Sequence, residues 1–269
     1  MKKSILGFLG AAAMLVSLNS CDKTEGALYD LNDNKASFYS PKVTVPMEGG
    51  SVIVPLGRTT TSGELSVPVT LTAAGAGYTN IFKVAGPAVF TNGEGKAEVK
   101  VTYGDFSKID ASALSVSPIA NNDVEVGLAF PFTLAIDSAN LSVSQVAKTS
   151  VSATSTLEFA DAGTAVLNST GGWIGENGIK NVKIQKAKTA NVYKVVSPFG
   201  ENSIAFMIKS DGKTVVFPNQ VLGMNAEYGA VSMSNVTGTI AGKVVTLNVA
   251  GYTVAAGSFG SGVEIITLP

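Results

Sequence analysis

Hydrophobic and polar residues alternate with a period of two along much of the segment 36–137. In residues 65–71, 97–103 and 128–136 every second residue is apolar, which places alternate side chains on one face of a strand. Turn residues separate such runs, and Asn92-Gly93-Glu94-Gly95 predicts a hairpin between its flanking strands. About seven short strands with this spacing predict an antiparallel β-sandwich.

The segment 156–269 shows the same alternation. Ile204, Phe206 and Ile208 are spaced by two, and Asp211-Gly212 predicts the turn that leads into the next apolar run at 215–217. Further alternating runs continue to the last residues of the chain. We therefore predict an all-β protein with two antiparallel domains, of which the C-terminal one is a β-sandwich or a barrel.

Residues 138–155 have a different composition from the segments on either side. Serine and threonine recur there between small apolar residues, with no sustained run of strand-forming residues. Such a shift in composition is typical of a domain boundary. We therefore predict a linker over 138–155, between domains that cover 36–137 and 156–269.

The first twenty-one residues carry the features of an export signal. Lys2 and Lys3 precede an apolar stretch over residues 5–18. Leu18-Asn19-Ser20-Cys21 then closes the segment. A basic start, an apolar centre of this length and a small residue before the cut predict a signal peptide over 1–20. The stretch is short for a retained membrane-spanning helix. The polar residues that follow predict a tether over 21–35.

Leu18 to Cys21 resembles the lipobox of bacterial lipoproteins, and Cys21 is the only cysteine of the chain. The resemblance implies lipidation of Cys21, for example with palmitate, and an outer-membrane location. Asp22 and Glu25 resemble the export signal of Bacteroidetes surface lipoproteins, which implies that the protein faces outward at the cell surface. Ordinary secretion with an incidental cysteine, a solvated leader and a periplasm-facing anchor remain the alternatives.

Composition narrows the chemistry that this chain can perform. Its 269 residues include no histidine, and its formal net charge is −1. The near-neutral charge gives no basic field for nucleic acid. The lack of imidazole excludes Ser-His-Asp and Cys-His catalysis and histidine zinc sites. We therefore expect no enzyme activity, no cofactor and no bound metal; a hydrolase that uses carboxylates alone is the last-ranked alternative.

Residues 46–59, 89–101 and 124–134 are similar to strands of Calx-β-like, immunoglobulin-type domains. The resemblance implies a sandwich of about a hundred residues. Calcium-binding members of that family carry clustered loop carboxylates, and this chain offers only Glu48, Asp123 and Glu125 near the matching places. Asn121 and Asn122 stand where acids would be expected. The residues therefore favour ordinary turns over a calcium site.

The C-terminal segment is similar to a β domain found in uncharacterised lipoproteins of gut Bacteroidetes. The matching stretches, in order, are residues 183–187, 193–195, 197–199, 211–212, 218–220 and 246–252. The resemblance implies an extracytoplasmic β fold and supplies no catalytic residues. Asp137-Ser138-Ala139 resembles the acceptor of Bacteroidetes protein O-glycosylation, which implies a glycan on Ser138.

Trp173, Tyr193 and Tyr228 are the candidate ligand-binding residues, because an aromatic face suits the C–H face of a sugar. The alternative is that these rings pack in the core; Tyr252 poses the same choice. We expect a lipid-anchored cell-surface binding protein without catalytic activity, with glycan as the first candidate ligand. The alternative function is a structural, adhesion or fimbria-associated subunit that contacts other surface proteins.

Overall fold

The computed structural model describes residues 34–73, 77–142, 146–170 and 178–269. Within these residues, the first domain contains eleven strands and one short α-helix. They are β1 Ala36–Phe38, β2 Lys42–Pro46, β3 Ser51–Arg58, β4 Leu65–Val67, β5 Val69–Ala73, α1 Tyr78–Ile81, β6 Phe82–Val84, β7 Ala88–Phe90, β8 Lys96–Tyr103, β9 Ala113–Pro118, β10 Val124–Ile136 and β11 Lys148–Thr156.

Two sheets of this domain form a sandwich. One has the strand order β1-β3-β8-β6, and the other has the order β2-β11-β10-β5, with β9 also pairing with β10. All pairs are antiparallel except β2 with β11. Phe82 lies between the sheets at 5.3 Å from Phe132 and 5.9 Å from Phe130, measured between ring centroids. Alternate residues of each strand therefore supply a shared apolar core.

Strands β7 and β8 flank the predicted hairpin turn, but they do not pair with each other. Strand β7 pairs with β4, whereas β8 pairs with β3 and β6. The predicted hairpin is therefore wrong in its pairing, because Asn92-Gly93-Glu94-Gly95 carries the chain from one sheet layer to another.

Arg58 holds this crossing in place. Its side chain is buried and its guanidinium carbon lies 5.1 Å from the centre of the Phe90 ring. The guanidinium donates five hydrogen bonds of 2.8 to 3.1 Å, to Asn34 Oδ1 and to the carbonyl oxygens of Thr61, Gly63, Thr91 and Glu94. One side chain thus joins the two loops that run between the β3–β8 pair and the β4–β7 pair.

The segment 138–155 differs from the predicted linker. Strand β11 occupies 148–156, and it pairs with β10 over nine residues and with β2. Val151 and Ala153 face the core, while serines and threonines occupy most of the other positions of the strand. The sequence did not indicate this strand, because a strand that is buried on one face only can carry small polar residues on its other face.

The described part of the second domain contains ten strands. They are β12 Phe159–Ser169, β13 Gly178–Ala187, β14 Val192–Val195, β15 Ile204–Ile208, β16 Thr214–Val216, β17 Gln220–Asn225, β18 Gly229–Ala241, β19 Val244–Val254, β20 Gly257–Ser258 and β21 Gly262–Thr267. Eight of them close into a ring in the order β12-β13-β14-β15-β16-β18-β19-β21, with β17 and β20 attached outside it. Of the two predicted alternatives, the structure shows the barrel, and the predicted all-β class is confirmed.

Strand β15 explains how the two domains pack together. Ile204, Phe206 and Ile208 belong to the apolar interior of the ring, while Ala205 and Met207 belong to the core cluster of the first domain. All five residues of the strand are buried because both of its faces are covered. The outer face of the ring therefore forms part of the interface between the domains.

Candidate functional site

The candidate site lies at one end of the closed sheet. Every strand pair in the ring is antiparallel, so strand ends and starts alternate around it. Ser169 at the end of β12 pairs with Gly178 at the start of β13 and with Glu264 near the start of β21. Strand β18 also begins at this end, which we call the mouth.

Tyr228 is presented at the mouth by the turn between β17 and β18. Asn225 Oδ1 accepts hydrogen bonds from the backbone N–H of Glu227 at 2.9 Å and of Tyr228 at 3.0 Å. Gly229 follows with a φ of 79°, a value that glycine adopts without the cost of a Cβ. The side-chain amide thus fixes the turn, and Tyr228 is 43% exposed.

Phe259 is presented by the loop between β20 and β21. Its backbone N–H donates to the carbonyl of Tyr252 at 2.9 Å, and the N–H of Tyr252 donates to the carbonyl of Gly260 at 2.9 Å. Ser258 Oγ accepts from the N–H of Gly260 at 3.1 Å. The loop backbone is therefore held to β19, although the Phe259 side chain is 38% exposed.

The two rings meet edge to face. Their centroids are 5.7 Å apart and their planes are inclined by 78°, a preferred geometry for an aromatic pair. Met224 and Ile179 lie on strands at the same end and are 63% and 74% exposed. Exposed apolar side chains gathered at one end of a fold are typical of an interaction site.

A buried polar cluster lies behind the mouth. Glu264 Oε1 accepts hydrogen bonds from Ser169 Oγ at 3.0 Å and from the Tyr252 hydroxyl. Burial raises the pKa of Tyr252 well above its ordinary value, and the hydrogen bond and charge of Glu264 raise it further. Tyr252 therefore stays protonated and donates, and the cluster ties β12, β19 and β21 together.

The structure separates the predicted aromatic residues. Tyr193 is near the start of β14, at the end of the ring opposite the mouth; its ring stacks on Phe206 at 5.6 Å, with Lys186 Nζ 5.3 Å from its centre. Tyr252 packs in the core. Trp173 and Cys21 lie outside the described residues. Of the predicted ligand-binding residues Trp173, Tyr193 and Tyr228, only Tyr228 lies at the mouth within the described residues. Its aromatic partner there is Phe259.

That partner, Phe259, was missed from the sequence. Gly257-Ser258-Phe259-Gly260-Ser261-Gly262 reads as a flexible hairpin loop. Glycines flank Phe259 in the sequence as Gly171, Gly172 and Gly175 flank Trp173. An aromatic residue in a glycine-rich loop was the available signal, because a glycine supplies no side chain that could cover the ring.

Ser138, the predicted O-glycosylation residue, lies exposed in a short 3₁₀ turn over Ser138–Asn140. Its hydroxyl donates to Asp137 Oδ1 at 3.3 Å, and the same oxygen accepts from the N–H of Ala139 at 3.1 Å. The position is accessible, and the modification stays a prediction.

Three acidic side chains that a carboxylate-only hydrolase could use have structural partners. Glu158 pairs with Lys188 at 2.8 Å on the surface, Asp161 accepts from the N–H of Gly163, and Glu201 accepts from the N–H of Met224. In the part of the chain that the structure describes, no three Cys, Asp or Glu side chains are grouped as metal ligands would be. Across the same residues, no helix has the length and apolar character needed to span a membrane.

No protein family and no curated protein sequence matches this chain. Among solved structures, a multidomain protein including DUF1735 from Bacteroides ovatus has 9% identity over 87% of this chain and 92% of that chain, with a TM-score of 0.33. An auxiliary nutrient binding protein from Bacteroides thetaiotaomicron has 11% identity over 84% and 88%, with a TM-score of 0.31. The calcium binding domain CBD12 of CALX1.1 has 12% identity over 60% and 78%, with a TM-score of 0.33.

Proposed function

We propose that this protein is a lipid-anchored, cell-surface binding protein without catalytic activity, and that it binds glycan at the mouth of its second domain. The observation that carries the proposal is the Tyr228–Phe259 pair. Both rings are exposed, and the backbone of each is fixed by hydrogen bonds of its own turn or loop. A site that is ordered before binding loses little conformational entropy when the ligand arrives.

The chemistry of the mouth suits a sugar chain. A pyranose ring has apolar C–H faces that pack on aromatic rings, while its hydroxyls need polar partners at the rim. Glu227 and Ser258 are exposed beside Tyr228 and Phe259 in the chain. Trp173 lies outside the described residues and stays a sequence-based candidate for glycan binding.

Affinity electrophoresis of the full chain through gels that contain a panel of polysaccharides tests this proposal. We expect Tyr228→Ala and Phe259→Ala each to weaken retention about five- to thirtyfold, from the roughly 1–2 kcal/mol that one ring contact contributes. Trp173→Ala tests the predicted third ring. Tyr39→Ala is the matched control, because Tyr39 is 61% exposed and belongs to the other domain.

Equal retention of Tyr228→Ala, Phe259→Ala and wild type would remove the mouth as the glycan site. An absence of retention on every polysaccharide, together with cross-links to surface proteins, would favour the structural or adhesion subunit instead.

The proposed anchor has its own test, metabolic labelling of cells with a fatty-acid probe. We expect wild type to take up label in the membrane fraction and Cys21→Ala to take up none, because the thiol is the only acceptor that the signal offers. Equal label in both proteins would contradict the anchor and the surface location that depends on it.

A further inference from the structure

A second candidate site, independent of the mouth, lies where the two domains meet. An open cleft there has two lobes of about 370 and 360 Å³, within the size range of small-molecule sites. Ile119, Asp123, Gln185 and Lys194 line both lobes. We call this the interdomain cleft, because Ile119 and Asp123 come from the first domain and Gln185 and Lys194 from the second.

An ion pair across the domains forms the centre of the cleft. Lys194 Nζ donates to Asp123 Oδ1 at 2.8 Å and to Oδ2 at 3.0 Å, and it lies 5.0 Å from the centre of the Phe159 ring. The Lys194 side chain is 8% exposed, whereas that of Asp123 is 43% exposed. The cation is therefore enclosed by its carboxylate and a ring, while the carboxylate still faces the cleft.

The groups around Asp123 keep its carboxylate ionised, so that it can accept hydrogen bonds. Burial raises its pKa, but hydrogen bonds from Lys194 and from the N–H of Val124, together with the Lys194 charge, outweigh burial and leave the pKa below its ordinary value. Asp123 therefore remains ionised near neutral pH. Glu125 also lines one lobe, so the open surface of the cleft attracts hydrogen-bond donors and repels anions.

The backbone around the cleft is strained and firmly held. Asn121 and Asn122 have φ values of 62° and 59°, and Ser197 has a φ of 42°, in the left-handed region that residues with a side chain rarely adopt. The carbonyl of Asn122 accepts from Ser203 N at 2.9 Å and Ser203 Oγ at 3.2 Å. Strain that surrounding contacts maintain is frequent at ligand sites.

Gln185 supplies the observation that points to a ligand. Its Oε1 atom is buried and has no hydrogen-bond partner, although buried side-chain oxygens are nearly always paired. The side chain lines both lobes beside the ion pair. A molecule in the cleft that donates an O–H to this oxygen would satisfy it.

We propose that the interdomain cleft binds a small hydroxyl-rich molecule of about the size of one monosaccharide. The Gln185 amide turns toward the cleft so that Oε1, which is covered in the unliganded chain, accepts from one hydroxyl. A second hydroxyl donates to the exposed side of the Asp123 carboxylate, and the carbon skeleton packs against Ile119. An anion would face Asp123 and Glu125 with the lysine already paired. An apolar ligand would leave Gln185 Oε1 unsatisfied. The site shares no residue with the mouth.

The test is a titration of the isotope-labelled full chain with glucose, galactose, mannose, N-acetylglucosamine and glycerol, followed by NMR. We expect at least one of these probes to shift the resonances of Gln185 and of the 119–123 loop. Gln185→Met keeps the side-chain length and removes the acceptor, and we expect it to weaken that binding about tenfold or more. Lys183→Met, an exposed change on the same strand, is the matched control.

Thermal unfolding accompanies the titration, because Gln185→Met removes an unsatisfied buried oxygen and should leave the unfolding midpoint unchanged or raised. If that variant does not fold, Ile119→Arg replaces it, since Ile119 is 51% exposed and its enlargement blocks both lobes. Tyr228→Ala should retain cleft binding, which separates this proposal from glycan binding at the mouth. Cleft resonances that no probe shifts at millimolar concentration, or equal binding by wild type, Gln185→Met and Ile119→Arg, would overturn the proposal.

Discussion

Replacing Arg58 with methionine removes the guanidinium and keeps most of the buried stem. Of the five hydrogen bonds that Arg58 donates, four join β3 to the loops around residues 61–63 and 91–94, and the fifth reaches Asn34 Oδ1. At about 1 kcal/mol for each bond, the five bonds together contribute about 5 kcal/mol. Residues 61–64 and 91–94 are exposed, so water can reach several of the abandoned carbonyls, and we expect a net loss of about 3 kcal/mol.

The assay is unfolding by urea and by heat, followed by circular dichroism. A loss of this size corresponds to a drop of about 6–12 °C in the unfolding midpoint for a chain of this length. Hydrogen exchange should show lost protection of the amides of Arg58 and Gly93, whose N–H groups donate to the carbonyls of Gly95 and Thr61. Arg58→Lys keeps the charge but cannot reach all five acceptors, so it should fall between wild type and Arg58→Met.

Lys96→Met provides the control, because Lys96 is exposed on the adjacent strand β8. The reasoning would be refuted if Arg58→Met lost less than about 1 kcal/mol while exchange in the loops stayed unchanged. Such a result would mean that the paired strands hold the two loops in place without the guanidinium.

Two further changes test the ring and the domain interface. Gly238→Ala should destabilise the protein by about 1–3 kcal/mol in urea unfolding, because its Cβ would lie 2.8 Å from the Cβ and carbonyl oxygen of Val215; Gly86→Ala, with no atom within 4 Å, should be near neutral. Asp123→Asn should remove a stability contribution that is present above the ordinary aspartate pKa of about 4 and is lost as pH falls through the lowered folded-state pKa. The urea midpoints of wild type and Asp123→Asn should therefore converge toward acidic pH, and a constant difference would contradict the pairing with Lys194.

Local pattern determined the strands themselves. Every second residue from Leu128 to Ile136 is apolar, and the structure buries those residues in β10. Asp211-Gly212 turns the chain between β15 and β16, with Asp211 Oδ1 accepting from the N–H groups of Lys213 and Thr214 at 2.8 Å. These features depend on neighbours in the chain, so the sequence alone contains them.

Pairing was decided only by the tertiary structure. Alternation shows which face of a strand is apolar, but it carries no information about which strand lies beside it. Strands β7 and β8 therefore resembled a hairpin although they join different sheets. Strand β11 resembled a linker because its outward positions are serine and threonine. The closing pair β18–β19 and the packing of β15 between two cores likewise depend on distant segments.

The candidate sites divide in the same way. The sequence identified Tyr228 as a candidate sugar-stacking residue, and the lack of histidine limited the chemistry available to the chain. Only the folded chain brings Phe259 to Tyr228, and only the domain interface brings Asp123, Gln185 and Lys194 into one cleft. The physical reason is that a binding site is a set of distances between residues far apart in the chain, and those distances exist only after the sheets have closed and packed.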